Sequence, residues 1–208
     1  MLIECLVVGA FEANCYLVMD EISKKGLIID PGAEPERIYE NVLKQQMNVE
    51  VIVLTHGHPD HVMAASQLKQ SARARLMMHQ ADRDIINNTT LTKLLGMQSN
   101  LNIEPDEYLK GGEEVGVTDM KLKVVHTPGH TEGSICLAGQ GMIFTGDLLF
   151  RGGIGRYDLP GGDGRKIMKS LEKVTEYPDE TKIYPGHGPS STIGAERRGN
   201  FYLVNLIK

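Results

Sequence analysis

Apolar residues along this chain fall in short runs set between turns bearing glycine or proline, the pattern of an α/β fold. Residues 2–8 and 14–20 read as two strands with Gly9-Ala10 in the connection. Leu27-Ile28-Ile29 is a third strand, ending at Asp30-Pro31-Gly32. From about 34 to 47 the period lengthens. Ile38, Val42, Leu43 and Met47 form an apolar stripe, Pro35 stands near its start and acidic residues fill the first turn, so a helix is predicted there. Val49-Glu50-Val51-Ile52-Val53-Leu54 is short, mostly β-branched and closed by a Gly/Pro break, which marks a buried strand. A helix over about 62–70 and a strand over 75–78 follow. Residues 79–118 keep no period for long: a helix start is expected at 81–86 and another helix at 91–97, within a partly irregular insertion.

The second half repeats the logic of the first. Met120-Lys121-Leu122-Lys123-Val124-Val125 alternates as a half-buried strand and leads into His126-Thr127-Pro128-Gly129-His130. Strands are predicted at 135–138 and 141–147, then a helix over about 163–176 with Ile167, Met168, Leu171 and Val174 on its apolar face. Lys182-Ile183-Tyr184 ends at Pro185-Gly186-His187-Gly188-Pro189, and a last helix is expected over about 192–207. The run from Gly26 to Asp30, a helix and a strand closing on a His-Gly segment are echoed by the run from Gly141 to Asp147, a helix and a strand closing on His187. This weak internal repeat would aim both copies at a shared seam. Two facing sheets with helices outside satisfy it. No linker composition divides the chain, so one domain over 1–208 is expected.

Composition narrows the function. A net charge of −5 with scattered Lys and Arg gives no basic footprint for nucleic acid. The three cysteines, Cys5, Cys15 and Cys136, are odd in number and unpatterned, which points to small buried apolar residues in a reducing compartment. The first residues read as a strand with Glu4 inside it, not a signal peptide, and no run approaches transmembrane length. A cytoplasmic protein with no membrane partner is expected; its oligomeric state is left open.

The chemistry concentrates in Thr55-His56-Gly57-His58-Pro59-Asp60-His61, directly after a strand, where α/β proteins place their chemistry. Imidazole and carboxylate together suit zinc or another first-row dication better than calcium or magnesium. Residues two apart in an extended segment share a side, so His56 and His58 can bind one ion together. Pro59 can open a helix, sending Asp60 and His61 toward a neighbouring position. Three later positions share a format of β-rich run, glycine turn and ligand-capable residue: His130, Asp147 and His187. Five histidines and two carboxylates exceed the needs of one ion and suit a pair of dications about 3.5–4 Å apart, which a carboxylate can bridge. His79 and His126 read as structural, with His126 close enough in sequence to be a hydrogen-bond partner of His130.

With these residues assembled, the chain resembles the metallo-β-lactamase fold superfamily. The family's His-x-His-x-Asp-His stands as His56-Gly57-His58-Pro59-Asp60-His61, its Thr-Pro-Gly-His-Thr at 127–131, its Gly-Asp at 146–147 and its Pro-Gly-His-Gly-Pro at 185–189. Within it the chain is most similar to short bacterial glyoxalase II-like (hydroxyacylglutathione hydrolase-like) hydrolases, through Gly146-Asp147-Leu148-Leu149-Phe150, Gly155-Arg156 and the segment 192–198. It departs from them at Phe201, where proline usually follows the asparagine. A cysteine-ligand β-lactamase would need Cys where Asp147 stands.

The resemblance implies an α/β protein, an αββα sandwich of two mixed β-sheets with helices on both outer faces. It implies two divalent ions, zinc by preference with iron or manganese as alternatives. His56, His58 and His130 would hold one, Asp60, His61 and His187 the other, and Asp147 would bridge them. The implied reaction is hydrolysis of a small thioester or related ester, glutathione-linked substrates included, by metal-activated hydroxide, with Asp60 also orienting the nucleophile. Arg156 and Tyr157 are the candidate substrate contacts. Two rivals share the fold. Persulfide dioxygenases use one iron on the equivalents of His56, His130 and Asp147, and lactonases open a cyclic ester.

Overall fold

A computed structural model describes residues 1–86 and 103–206. Six strands form one sheet in chain order: β1 (Leu2–Val8), β2 (Ala13–Met19), β3 (Lys25–Ile29), β4 (Asn48–Leu54), β5 (Arg75–His79) and β6 (Glu107–Leu109). The first three pair antiparallel and β3 to β6 pair parallel, so the sheet is mixed. A second six-stranded sheet is built from β7 (Glu114–Val117), β8 (Met120–His126), β9 (Ile135–Gly139), β10 (Met142–Gly146), β13 (Lys182–Pro185) and β14 (Ser191–Thr192). Its order is β14-β13-β10-β9-β8-β7, with β10 and β13 parallel and the other neighbours antiparallel. A small hairpin, β11 (Leu149–Phe150) with β12 (Gly153–Ile154), stands beside it.

Alternation along the strands sorts side chains into three apolar layers. Leu27, Ile29, Val51 and Val53 point inward to meet Leu122, Val124, Leu137 and Phe144 of the other sheet. Ile28, Ile52 and Leu54 point outward under α1 (Pro35–Lys44) and α3 (Ala65–Ala72), packing with Ile38, Val42 and Leu68. On the opposite outer face Cys136, Ile143 and Ile183 pack under Ile167, Leu171 and Val174 of α4 (Gly164–Thr175). The result is the αββα sandwich. Asp163 starts α4 by accepting bonds from the backbone N–H of Arg165 and Lys166, satisfying two donors of its first turn.

Several elements differ from their sequence reading. Leu43 of the predicted stripe is 60% exposed, and α1 ends before Met47, which is buried in the return to β4. The helix expected over 62–70 starts later, as α3, and is preceded by a separate short helix, α2 (Pro59–Val62), which Pro59 opens as its place before Asp60 and His61 suggests. The last helix is two, α5 (Ile193–Gly199) and α6 (Phe201–Leu206). Between them Asn200 leaves helical geometry (φ −81°, ψ 118°), and its buried amide donates to Gly153 O at 3.0 Å and Glu196 Oε2 at 2.9 Å. The irregular insertion supplies two edge strands, β6 and β7, and the expected helix start at 81–86 is a single 3₁₀ turn at Gln80–Asp82. The helix expected at 91–97 lies outside the described residues.

Candidate metal centre

Two parallel strand pairs, β3 with β4 and β10 with β13, point their carboxyl ends at the same end of the sandwich. His56 and His58 follow β4, with His58 extended (φ −70°, ψ 144°) just ahead of α2. His130 arrives from the other sheet, in the turn after β8, and its Nε2 lies 2.8 Å from His58 Nδ1. Ring centroids of His56 lie 4.8 Å from those of His58 and His130, making a fully buried inner triad. Asp60 and His61 sit one turn on, in α2. His61 Nε2 is 3.1 Å from His187 Nε2, and Asp60 Oδ2 is 3.6 Å from His61 Nε2 and 3.3 Å from His187 Nε2. This outer triad opens to solvent through His187, whose side chain is 27% exposed.

Asp147, ending β10, stands between them. Its Oδ1 is 3.5 Å from His61 Nε2, and its Oδ2 is 3.6 Å from both His130 Nε2 and His187 Nε2. All seven residues named from the sequence therefore meet. Gly186 makes the approach possible, since a Cβ there would lie 2.2 Å from Asp147 Oδ1.

Among the described residues, three buried polar side-chain atoms have no hydrogen-bond partner: His56 Nε2, His58 Nε2 and Asp147 Oδ1. Each such atom costs about 1–3 kcal/mol. Two of them, His56 Nε2 and Asp147 Oδ1, face the centre and fit donors whose partner is a cation, while His58 turns its other nitrogen, Nδ1, toward it, 2.8 Å from His130 Nε2. Spacings of 3.3 and 3.6 Å within the outer triad are close to the about 3.4 Å expected between donors each about 2.1 Å from a tetrahedral ion.

Hydrogen bonds behind the rings fix which nitrogen faces inward. Asp30, fully buried at the end of β3, accepts from Thr55 N (2.7 Å), Thr55 Oγ1 (2.6 Å) and His61 Nδ1 (3.1 Å). Because the Thr55 hydroxyl gives its proton to Asp30, it accepts from His56 Nδ1 at 3.1 Å. His130 Nδ1 donates to the carbonyl of Arg156 at 2.6 Å. Each of these three imidazoles thus keeps Nε2 for the centre. Asn14 donates from its amide to Pro185 O (2.9 Å) and Gly188 O (2.8 Å), gripping the loop that carries His187.

The two triads differ electrostatically. Burial, with the neighbouring imidazoles His61 and His130, holds His56 well below its ordinary pKa. Burial and His130 lower His58 to about 3. In the outer triad burial works the other way from the net result: the carboxylates of Asp147, Asp30 and Asp60 outweigh it and raise His61 to about 10. His187 is also raised, with burial opposed by its bond to Asp60 and the charge of Asp147. Asp60 is lowered, burial being overcome by His187 and His61.

The other singled-out residues lie elsewhere. The Arg156 guanidinium forms a two-pronged, exposed pair with Asp158 (2.9 and 2.8 Å), while its carbonyl serves His130. Tyr157 is exposed on one side, and its ring packs over Gly164. His126 stacks on His79 with centroids 4.1 Å apart and donates to Glu132 O at 2.8 Å, so the partner of His130 is a main-chain carbonyl and not His126. Asp30, Thr55 and Asn14 support the ligands without being ligands themselves, a role that no spacing in the sequence assigns. Asp30 alone carried a signal, as the carboxylate ending a strand just where Asp147 ends its own.

A family model for the metallo-beta-lactamase superfamily matches residues 8–187. The hydroxyacylglutathione hydrolase GloC of Haemophilus influenzae is 37% identical over 209 residues, covering 98% of this chain and 98% of that protein. The crystal structure of the B3 metallo-beta-lactamase BLEG-1 superposes with a TM-score of 0.92 at 29% identity, covering 97% of this chain and 99% of that one. That of TTHA1623 in a di-iron-bound form does so at 0.89 and 33% identity, covering 96% and 100%.

Proposed function

The chain belongs to the metallo-beta-lactamase superfamily, and on that premise we propose that it is a metal-dependent hydrolase of a small thioester or related ester. The observation that carries this is the carboxylate of Asp147 lying between two triads of ligand-type atoms, with Oδ1 lacking a hydrogen-bond partner. In this reading His56, His58 and His130 hold one divalent cation, Asp60, His61 and His187 hold the other, and Asp147 is shared. Zinc suits the nitrogen-rich donor set, and iron, as in the TTHA1623 structure, is the alternative. Such a pair of cations, when bound, supplies an acidified water and polarises a carbonyl oxygen.

The chain's own residues do the rest. Asp60, held ionised by His187 and His61, accepts a hydrogen bond from the attacking water and orients it toward the carbonyl carbon. Asp30 and the carbonyl of Arg156 keep His61 and His130 in the tautomers that face the centre. Substrate enters on the side of the outer triad, where Asp60 and His187 meet solvent. The Arg156 guanidinium, exposed and paired with Asp158, can exchange that partner for a substrate carboxylate, with Tyr157 as a neighbouring apolar surface. Likeness to GloC favours a glutathione-linked thioester as the first substrate to try.

The test is elemental analysis of the purified protein together with a panel of a glutathione thioester, a lactone, a β-lactam and a persulfide. Two ions per chain with thioester cleavage is the expected result. One iron per chain with oxygen uptake on the persulfide would overturn it in favour of a dioxygenase.

A further inference from the structure

Asp82 closes the 3₁₀ turn after β5, in the stretch where the sequence shows no period. It is fully buried and forms no ion pair among the described residues, yet its carboxylate accepts three hydrogen bonds. Gly57 N donates to Oδ2 at 2.8 Å, Thr131 Oγ1 to Oδ2 at 2.7 Å, and Gly133 N to Oδ1 at 2.6 Å. The glycines let it come this close. A Cβ on Gly133 would lie 2.6 Å from Asp82 Cγ, and one on Gly57 would lie 3.2 Å from Asp82 Cβ.

What these donors share is their place in the chain. Gly57 sits between His56 and His58, and Thr131 follows His130. One carboxylate thus ties together the two loops, from opposite sheets, that carry the inner triad, without bonding to any of its imidazoles. The outer triad has other supports: Asp30 holds His61, and Asn14 holds the His187 loop. Asp82 bonds to none of these.

We propose that Asp82 is a positioning residue for the inner triad alone, holding His56, His58 and His130 at the separation one cation needs and so setting the difference in affinity between the two sites. This rests on the two-ion reading above. A carboxylate suits the role because it offers only acceptors to three converging donors. The amide of an asparagine would turn an N–H against at least one of them.

The test uses cobalt(II) added to metal-free wild-type protein and to Asp82→Asn, with stoichiometry and affinity read by chelator competition and by visible absorption. Wild type should take up two ions. In Asp82→Asn one site should weaken by about 10- to 100-fold, the usual effect of removing a residue that orients metal ligands, with an altered spectrum, while the other site keeps its affinity. Thr131→Val, which removes one of three donors, should weaken the same site by less; it carries the test if Asp82→Asn does not fold. Equal weakening of both sites, or of neither, in folded protein would overturn the assignment. A wild-type protein that takes up one ion or none would overturn the two-ion reading itself, and this inference with it.

Discussion

The units β3–α1–β4 and β10–α4–β13 are built alike: parallel strands joined through a helix, an aspartate closing the first strand and histidine after the second. Their aspartates have opposite fates. Asp30 is saturated by Thr55 N, Thr55 Oγ1 and His61 Nδ1, all within 3.1 Å. Asp147 has one oxygen without a partner and the other 3.6 Å from two imidazoles. The same residue type at the same place is in one unit a brace and in the other a free donor. Hydrogen-bond satisfaction, and not position in the motif, tells them apart.

Exchanging their roles is the most direct way to break that contrast. Asp147→Ala should abolish measurable turnover, and it should disturb the stability of the metal-free fold less than Asp30→Ala does. Turnover that survives unaltered would remove Asp147 from the centre. Asp30→Ala leaves buried donors of Thr55 without an acceptor, so a loss of about 2–5 kcal/mol is expected in urea unfolding of the metal-free protein. A variant as stable as wild type would show that Asp30 is not a brace.

A smaller effect sharpens the difference between the triads. Near neutral pH the outer triad holds a proton on His61, raised to about 10, and His187 is also raised; an incoming ion must displace the His61 proton. His56 and His58 of the inner triad are lowered, so neither has a proton to give up. Affinity of the outer site should therefore climb with pH up to about 10, by about tenfold per unit for each proton released, while His56 and His58 add no such dependence to the inner site above about 6.5. Calorimetry in buffers of different ionisation enthalpy reads the released protons directly. Equal release from both sites would contradict the assignment. The same shifts act on the metal-free fold. Raised His61 contributes stability in full below about 6.5, and this is lost as pH rises through about 10. Lowered His56 and His58 do the reverse, their contribution being lost as pH falls below about 6.5, toward about 3 for His58.

What could be read from the sequence was what is local. Four ligand-type residues within 56–61 are a matter of spacing, and alternation in 120–125 or a stripe at 167–174 needs only neighbouring residues. His130, Asp147 and His187 were legible because each follows a glycine turn after an apolar run. The braces were not. Asp82 acts on Gly57 and Gly133, 25 and 51 residues away, and Asn14 acts on a loop more than 170 residues on, contacts no local window contains. The edge strands β6 and β7 are short, and Gly116 interrupts the second; each is ordered by its pairing with β5 or β8 and not by its own pattern. Asn200 ends a helix through bonds to Gly153 and Glu196, the first of them to a hairpin that only the fold brings near.

Anomalous diffraction from crystals of the metal-loaded protein, measured at the absorption edge of the metal found by elemental analysis, bears most directly on the shared role of Asp147. Two peaks are expected, one among His56, His58 and His130 and one among Asp60, His61 and His187, each with an Asp147 oxygen in bonding distance. A single peak, or a pair that leaves Asp147 uncoordinated, would contradict it.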